Sequence, residues 1–204
     1  MAKAKKEQKR RMKNNSKYWD DRYRDAATGW DIGQVSPPVK AYIDQLENKN
    51  LRILIPGGGN SYEAEYLFNN GYKNVFVNDS AERPLENFIS RVPSFPKSNL
   101  IQKDFFKIDQ KFDLIIEQTF FCALPVDNRP AYVEKMYELL VTGGKLIGVM
   151  FNIQFEKEGP PFGGKRDEYF NLFHIRFQIK TLEECYNSVS PRQGNELFFI
   201  FIKN

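Results

Sequence analysis

Histidine and cysteine, the side chains behind most protein metal centres, are almost missing: the 204 residues include one histidine, His174, and two cysteines, Cys122 and Cys185. Without CxxC spacing or a second histidine, neither a structural disulfide nor a zinc site of the common types is expected. Long apolar runs are lacking too. No stretch of about 18 uninterrupted apolar residues occurs, and charges stand where a signal peptide would place its apolar core, so we expect a cytoplasmic chain that does not enter a membrane. Cys122 lies in the apolar run Thr119-Phe120-Phe121-Cys122-Ala123-Leu124, which favours burial as a small hydrophobe over a reactive thiol. His174, between Phe173 and Ile175, reads as structural, with general-base work as the alternative.

The formal charge of +4 is unevenly placed. Residues 1–15 carry seven Lys or Arg against one Glu, leaving the remainder slightly acidic. Such a segment without apolar periodicity is expected to be a disordered basic tail. Nucleic acid is not the expected partner, because basic residues interleaved with exposed aromatics on the folded part would be needed.

Residues 16–204 read as one domain. Tyr18, Trp19 and Tyr23 share a helical segment over Ser16 to Arg24, with Trp19 and Tyr23 one turn apart and so expected to stack. A loop, Ala27 to Gly33, follows. Pro37-Pro38 opens a helix whose apolar stripe is Val39, Tyr42, Ile43 and Leu46. Strand then alternates with helix, the signature of parallel βαβ units. Strands are expected at Leu51 to Ile55, Val75 to Asn78, Asn99 to Gln102, Phe112 to Glu117 and Lys145 to Phe151. Helices are expected at Ser61 to Asn69, around Glu82 to Arg91, and at Arg129 to Leu140. Phe173 to Cys185 and Glu196 to Lys203 read as two closely joined, hence antiparallel, strands. The fold class expected is α/β: a Rossmann-like, mostly parallel seven-stranded sheet with a C-terminal antiparallel hairpin and helices on both faces. S-adenosylmethionine (SAM)-dependent methyltransferases build this architecture, whereas an all-parallel ending suits a dinucleotide dehydrogenase.

Ligands of open α/β sheets collect beyond the carboxyl ends of the strands. After the first strand stands Gly57-Gly58-Gly59, able to bring backbone close to a ligand. Against the dinucleotide pattern GxGxxG, the third glycine position is Tyr62, which opposes packing around a pyrophosphate; SAM has no phosphate to cradle. Asp79 follows the second strand, 22 residues beyond Gly57, a spacing that suits a carboxylate accepting from ribose hydroxyls. Asp104-Phe105 follows the third, where an acid can accept from an adenine amine and the ring can cover the base. The fourth strand ends in Glu117-Gln118-Thr119-Phe120-Phe121, and no Asp/Asn-Pro-Pro-Tyr/Phe motif stands there, which disfavours amide and adenine-N6 methylation.

From Tyr18 to the C-terminus the sequence resembles the thiopurine methyltransferase superfamily, most of all its plant-type halide/thiol/thiocyanate methyltransferases. The likeness runs through Trp19-Asp20-Asp21-Arg22-Tyr23, Thr28-Gly29-Trp30-Asp31-Ile32-Gly33, Phe112-Asp113-Leu114-Ile115 and Phe120-Phe121-Cys122-Ala123-Leu124. It continues in Arg129-Pro130-Ala131, Met136-Tyr137-Glu138-Leu139-Leu140, Gly159-Pro160-Pro161-Phe162 and Pro191-Arg192. The resemblance implies SAM as cofactor, a covering segment 16–33 that brings Trp19, Tyr23 and Trp30 over it, and binding through Gly57, Asp79, Asp104, Phe105 and Gln118. This chain departs from the family's pattern at Tyr23, where a second tryptophan is common, at Gly58 in place of cysteine and at Gln118 in place of tyrosine. Met150-Phe151-Asn152 stands where the halide and thiocyanate branch has Met-Tyr-Pro.

The acceptor expected is a small sulfur nucleophile or halide, since a soft anion or thiolate needs little general base and no acid/base dyad is evident. Phe121, Phe151 and Phe162 are the candidate acceptor walls. Arg129 is the candidate to orient an anion, or else a helix-start residue held by a surface carboxylate. Three alternatives stay open: a thiopurine-like aromatic thiol, a larger oxygen or nitrogen acceptor, and a non-catalytic SAM-binding module. A monomer is expected, because no heptad or exposed apolar strand advertises an interface.

Overall fold

A computed structural model describes residues 16–157 and 159–204; the basic segment 1–15 lies outside the described residues. The elements run α1 (Ser16–Arg24), α2 (Pro37–Ile43), β1 (Ile53–Pro56), α3 (Tyr62–Asn69), β2 (Val75–Asp79), α4 (Arg83–Arg91), β3 (Leu100–Gln102) and β4 (Phe112–Gln118). They continue with α5 (Arg129–Leu139), β5 (Leu140–Phe151), α6 (Arg166–Phe173), β6 (Phe177–Glu184) and β7 (Glu196–Lys203).

One seven-stranded sheet has the order β3-β2-β1-β4-β5-β7-β6. The first five strands pair in parallel, and β7 runs antiparallel to both β5 and β6. Successive strand residues point to opposite faces, and the apolar ones divide accordingly. Ile53, Ile55, Leu114, Ile116 and Ile147 pack with Val39, Ala64, Leu67 and Phe88 of α2, α3 and α4. Leu54, Ile115, Leu146 and Phe201 pack on the other face with Tyr132, Met136 and Phe173 of α5 and α6. Both faces of the central strands are therefore dry, which is why they read as nearly unbroken apolar runs.

Strand order reverses between β1 and β4, which opens a crevice beyond their carboxyl ends. The Rossmann-like architecture expected from the sequence is present, with two local differences. Arg166–Phe173 is a helix that buries Tyr169 and Phe173 at i,i+4 spacing, so the strand expected from Phe173 begins only at Phe177. His174 ends that helix, its ring stacked on Phe170 at 5.2 Å. The fifth strand starts at Leu140, where the chain leaves α5 directly. No described helix is long and apolar enough to cross a membrane.

Candidate active site

The turn after β1 is squeezed from two sides. Gly57 and Gly59 both take left-handed backbone, φ +56° and +54°, which glycine adopts without steric cost. A β-carbon on Gly57 would sit 2.1 Å from the Phe120 ring, and one on Gly59 would sit 2.4 Å from the Tyr23 hydroxyl. The turn thus carries a wall from the loop after β4 on one side and a side chain of α1 on the other.

Asp79, at the end of β2, holds this turn in place. Its carboxylate accepts from the Gly59 N–H at 3.0 Å and from the Ala81 N–H at 2.9 Å. Burial pushes its pKa up to about 6, against the lowering effect of those hydrogen bonds. Asp104 caps the short turn after β3 by accepting from the Phe106 N–H at 3.1 Å, and Phe105 beside it packs edge-on against Phe120, centroids 5.1 Å apart. Gln118, at the end of β4, has a buried Oε1 with no hydrogen-bond partner. A buried acceptor left unmade costs about 1–3 kcal/mol, so this oxygen is open to a further donor.

The segment 16–33 roofs the crevice. Trp19 and Tyr23 do not stack on each other as the helical spacing suggested; Trp30 comes between, edge-on to Trp19 at 5.4 Å and to Tyr23 at 5.7 Å. The Trp30 indole donates to the Tyr23 hydroxyl at 3.3 Å, and burial raises the pKa of that hydroxyl well above its ordinary value. The roof is pinned at two ends. Asp20 accepts from the N–H groups of Glu82 and Arg83, an anion at the positive end of α4. Arg192, on the loop before β7, donates to the Trp30 carbonyl at 2.6 Å. Arg22 stacks over Trp30 at 5.3 Å, and its buried Nε lacks a partner.

These parts enclose one cavity of about 430 Å³, in the size range of small-molecule sites. Its lining contains Trp19, Tyr23, Trp30 and Gly57, and also Asp79, Asp104, Phe105 and Gln118: all eight residues proposed from sequence for the cofactor meet there. Of the four acceptor candidates only Phe151 lines it. Phe121 is turned into the core, 2% exposed, against Tyr132, Tyr169 and Phe173. Arg129 is buried on that same side, stacked over Phe121 and donating to the Gly163 and Phe162 carbonyls. Phe162 is not in the lining; its N–H donates to the Cys122 carbonyl at 2.7 Å. Two arginines, Arg22 and Arg192, line the cavity with Cys122, Ala123, Leu124, Pro160 and Pro161, and Arg192 stands over the Phe151 ring at 5.8 Å.

Sequence reasoning missed Phe120 as a wall and Arg192 as the cation. Thr119 has φ +59°, and this left-handed residue turns Phe120 toward the crevice and Phe121 away from it. Arg192 arrives through the antiparallel register, in which Glu196 of β7 faces Phe151 of β5. Pro191-Arg192 belongs to the resemblance, and an arginine just before a strand antiparallel to β5 is the available signal.

A sequence model described as "Thiopurine S-methyltransferase (TPMT)" matches residues 14–200. "Probable thiol methyltransferase 2" of Arabidopsis thaliana is 32% identical over 189 residues, covering 90% of this chain and 83% of that protein. "Thiocyanate methyltransferase 1" of Brassica oleracea is 31% identical over 184 residues, covering 87% and 81%. Among solved structures, the 1,6-didemethyltoxoflavin-N1-methyltransferase of Burkholderia thailandensis superposes with a TM-score of 0.75 at 14% identity, covering 94% of this chain and 88% of that one; at that identity the likeness concerns the fold.

Proposed function

Since the chain belongs to the thiopurine S-methyltransferase family, we propose that this SAM-dependent methyltransferase passes its methyl group to a small sulfur nucleophile or halide: a thiol, hydrosulfide, thiocyanate or iodide. The observation that carries this reading is the Phe151 region of the cavity, where Leu124, Pro160 and Pro161 supply apolar lining and Arg192 stands over the Phe151 ring at 5.8 Å. Among the described residues no histidine lines the cavity; the carboxylates that do are Asp31, Glu63, Asp79 and Asp104. The names of the thiol and thiocyanate methyltransferases that resemble the chain support the same acceptor class.

The residues present fit the cofactor. Asp79 would take the ribose hydroxyls, Asp104 and Phe105 the adenine, and the glycine turn the backbone-close part of the molecule, while the unpartnered Gln118 oxygen accepts a donor. When bound, SAM supplies a sulfonium whose methyl carbon is already electrophilic. The protein's share is alignment and exclusion of water. Trp19, Tyr23 and Trp30 close the cavity from above, Arg192 draws an anionic acceptor to the apolar end, and Phe120 separates the two ends. Holding two reactants in attack geometry is worth roughly 7–11 kcal/mol of barrier, which suits an acceptor that needs no general base.

Methyl-labelled SAM incubated with iodide, thiocyanate, hydrosulfide, thiophenol and a thiopurine tests the acceptor. Labelled volatile product from the small anions is the expected result. Product from the aromatic thiols alone would move the acceptor to the thiopurine type, and no product from any of them, with SAM bound, would discard the reading.

A further inference from the structure

We propose that Glu117 is a positioning residue for methyl transfer: its carboxylate, buried beneath the loop after β4, fixes the backbone of Phe120 and Phe121 and thereby sets the wall between the cofactor and acceptor ends of the cavity. The inference rests on methyl transfer in this cavity and is independent of which acceptor is used.

Glu117 is 1% exposed and does not line the cavity. One carboxylate oxygen accepts from the N–H groups of Phe120, at 2.7 Å, and Phe121, at 2.9 Å; the other accepts from the Tyr132 hydroxyl at 2.5 Å. Three donors converge on one carboxylate, and no described lysine or arginine pairs with it. The titratable groups facing it are Tyr132 from α5 and Cys122 from the loop itself. On the β5 side the neighbour is Gly148, where a β-carbon would sit 2.0 Å from the Glu117 carbonyl oxygen, so no side chain stands there.

A buried carboxylate without a cation is costly, and an apolar residue would fill this place in the core. What an apolar residue cannot do is hold the loop. Thr119 is β-branched and left-handed, φ +59°, a conformation that must be imposed by its surroundings. Just beyond it, Phe120 lays its ring over the space that Gly57 leaves open and against Phe105 and Tyr132. The carboxylate therefore connects the cofactor's glycine turn, the adenine-side phenylalanine and the acceptor wall through two backbone N–H groups. Burial raises its pKa to about 7, while the Tyr132 and backbone hydrogen bonds pull the other way. The clamp should consequently tighten as the carboxyl ionises.

The test combines NMR of the Phe120 and Phe121 amide protons with steady-state kinetics, using an acceptor that does not titrate near neutrality. In the wild type both amide resonances are expected to move together through one transition near pH 7, and kcat to rise with pH through the same transition. Glu117→Gln keeps an oxygen for the two N–H groups and faces its amide toward Tyr132; both transitions should vanish. Tyr132→Phe should move the transition to higher pH, because a hydrogen bond favouring the ionised form is lost. Glu117→Ala should lower kcat tenfold or more, with a distinctly smaller loss of SAM affinity, and Glu117→Gln should recover most of the loss in kcat. A transition that persists in Glu117→Gln, amides that do not titrate, or equal losses of SAM affinity and kcat in Glu117→Ala would overturn the proposal. If Glu117→Ala does not fold, the other two variants decide. If no acceptor turns over, the acceptor reading fails, and the amide titration still decides the role of Glu117.

Discussion

Replacing Asp79 by alanine is expected to weaken SAM binding about a hundredfold or more at pH 7.5, as measured by calorimetry. Hydrogen bonds to a charged group contribute about 1.5–3 kcal/mol each, and a ribose offers two hydroxyls to this carboxylate. The substitution also strips the Gly59 and Ala81 N–H groups of their acceptor, so the glycine turn loosens at the same time. With a pKa of about 6, the carboxyl takes up a proton as pH falls below neutrality, and SAM affinity should fall with it; in Asp79→Asn that pH dependence should disappear. Stability of the ligand-free protein should move the opposite way. Because the folded pKa lies above the ordinary value of 3.8, the stabilisation is complete below about pH 4 and is lost as pH rises through about 6. The full swing is roughly 3 kcal/mol. Affinity independent of pH between 5 and 8 would show that Asp79 does not contact the cofactor.

Arg192→Leu is expected to lower kcat/KM for thiocyanate and iodide about a hundredfold, and Arg192→Lys by about tenfold. The guanidinium is nearly buried, holds the Trp30 carbonyl and lies 3.6 Å from Glu196. Removing it takes away the cation over Phe151, frees the roof at Trp30 and leaves the Glu196 carboxyl, whose pKa burial already raises, without its arginine partner. A charge lost from a site of low dielectric is costly on this scale. Lysine keeps the charge but not the planar fork. Unchanged kinetics in Arg192→Leu would remove this residue from acceptor binding.

The residues gathered around the glycine turn were legible in the sequence and those gathered around Phe151 were not, for physical reasons. Asp79 is the first charge after its short apolar run and Asp104 follows Lys103 just beyond the next, and ligands of such sheets gather at those ends. Reading strand ends to within a residue or two was enough to bring them together with Gly57 and Gln118. The acceptor end depends on one backbone torsion. Phe120 and Phe121 are adjacent and chemically equal, and only the left-handed Thr119 decides which ring faces the crevice. Arg129 and Arg192 each neighbour apolar segments, yet Arg129 turns to the carbonyls of residues 162 and 163, whereas the β5–β7 register carries Arg192 to Phe151. Helix α6 escaped notice because Phe173, Ile175 and Phe177 mimic the alternation of a strand, while Tyr169 and Phe173 share the buried helical face. Glu117 was read as part of a strand end, and its lack of a counter-cation is visible only in three dimensions.

The central claim is that the cofactor lies between the glycine turn and an aromatic roof made by residues 16–33. The chain has two tryptophans, Trp19 and Trp30, and both line the cavity, so selectively excited tryptophan fluorescence reports on the roof alone. Titration with SAM should give a saturable change in tryptophan emission whose midpoint equals the calorimetric Kd and shifts in parallel with it in Asp79→Ala. Binding by calorimetry without any change in emission would mean that the cofactor does not sit beneath these tryptophans.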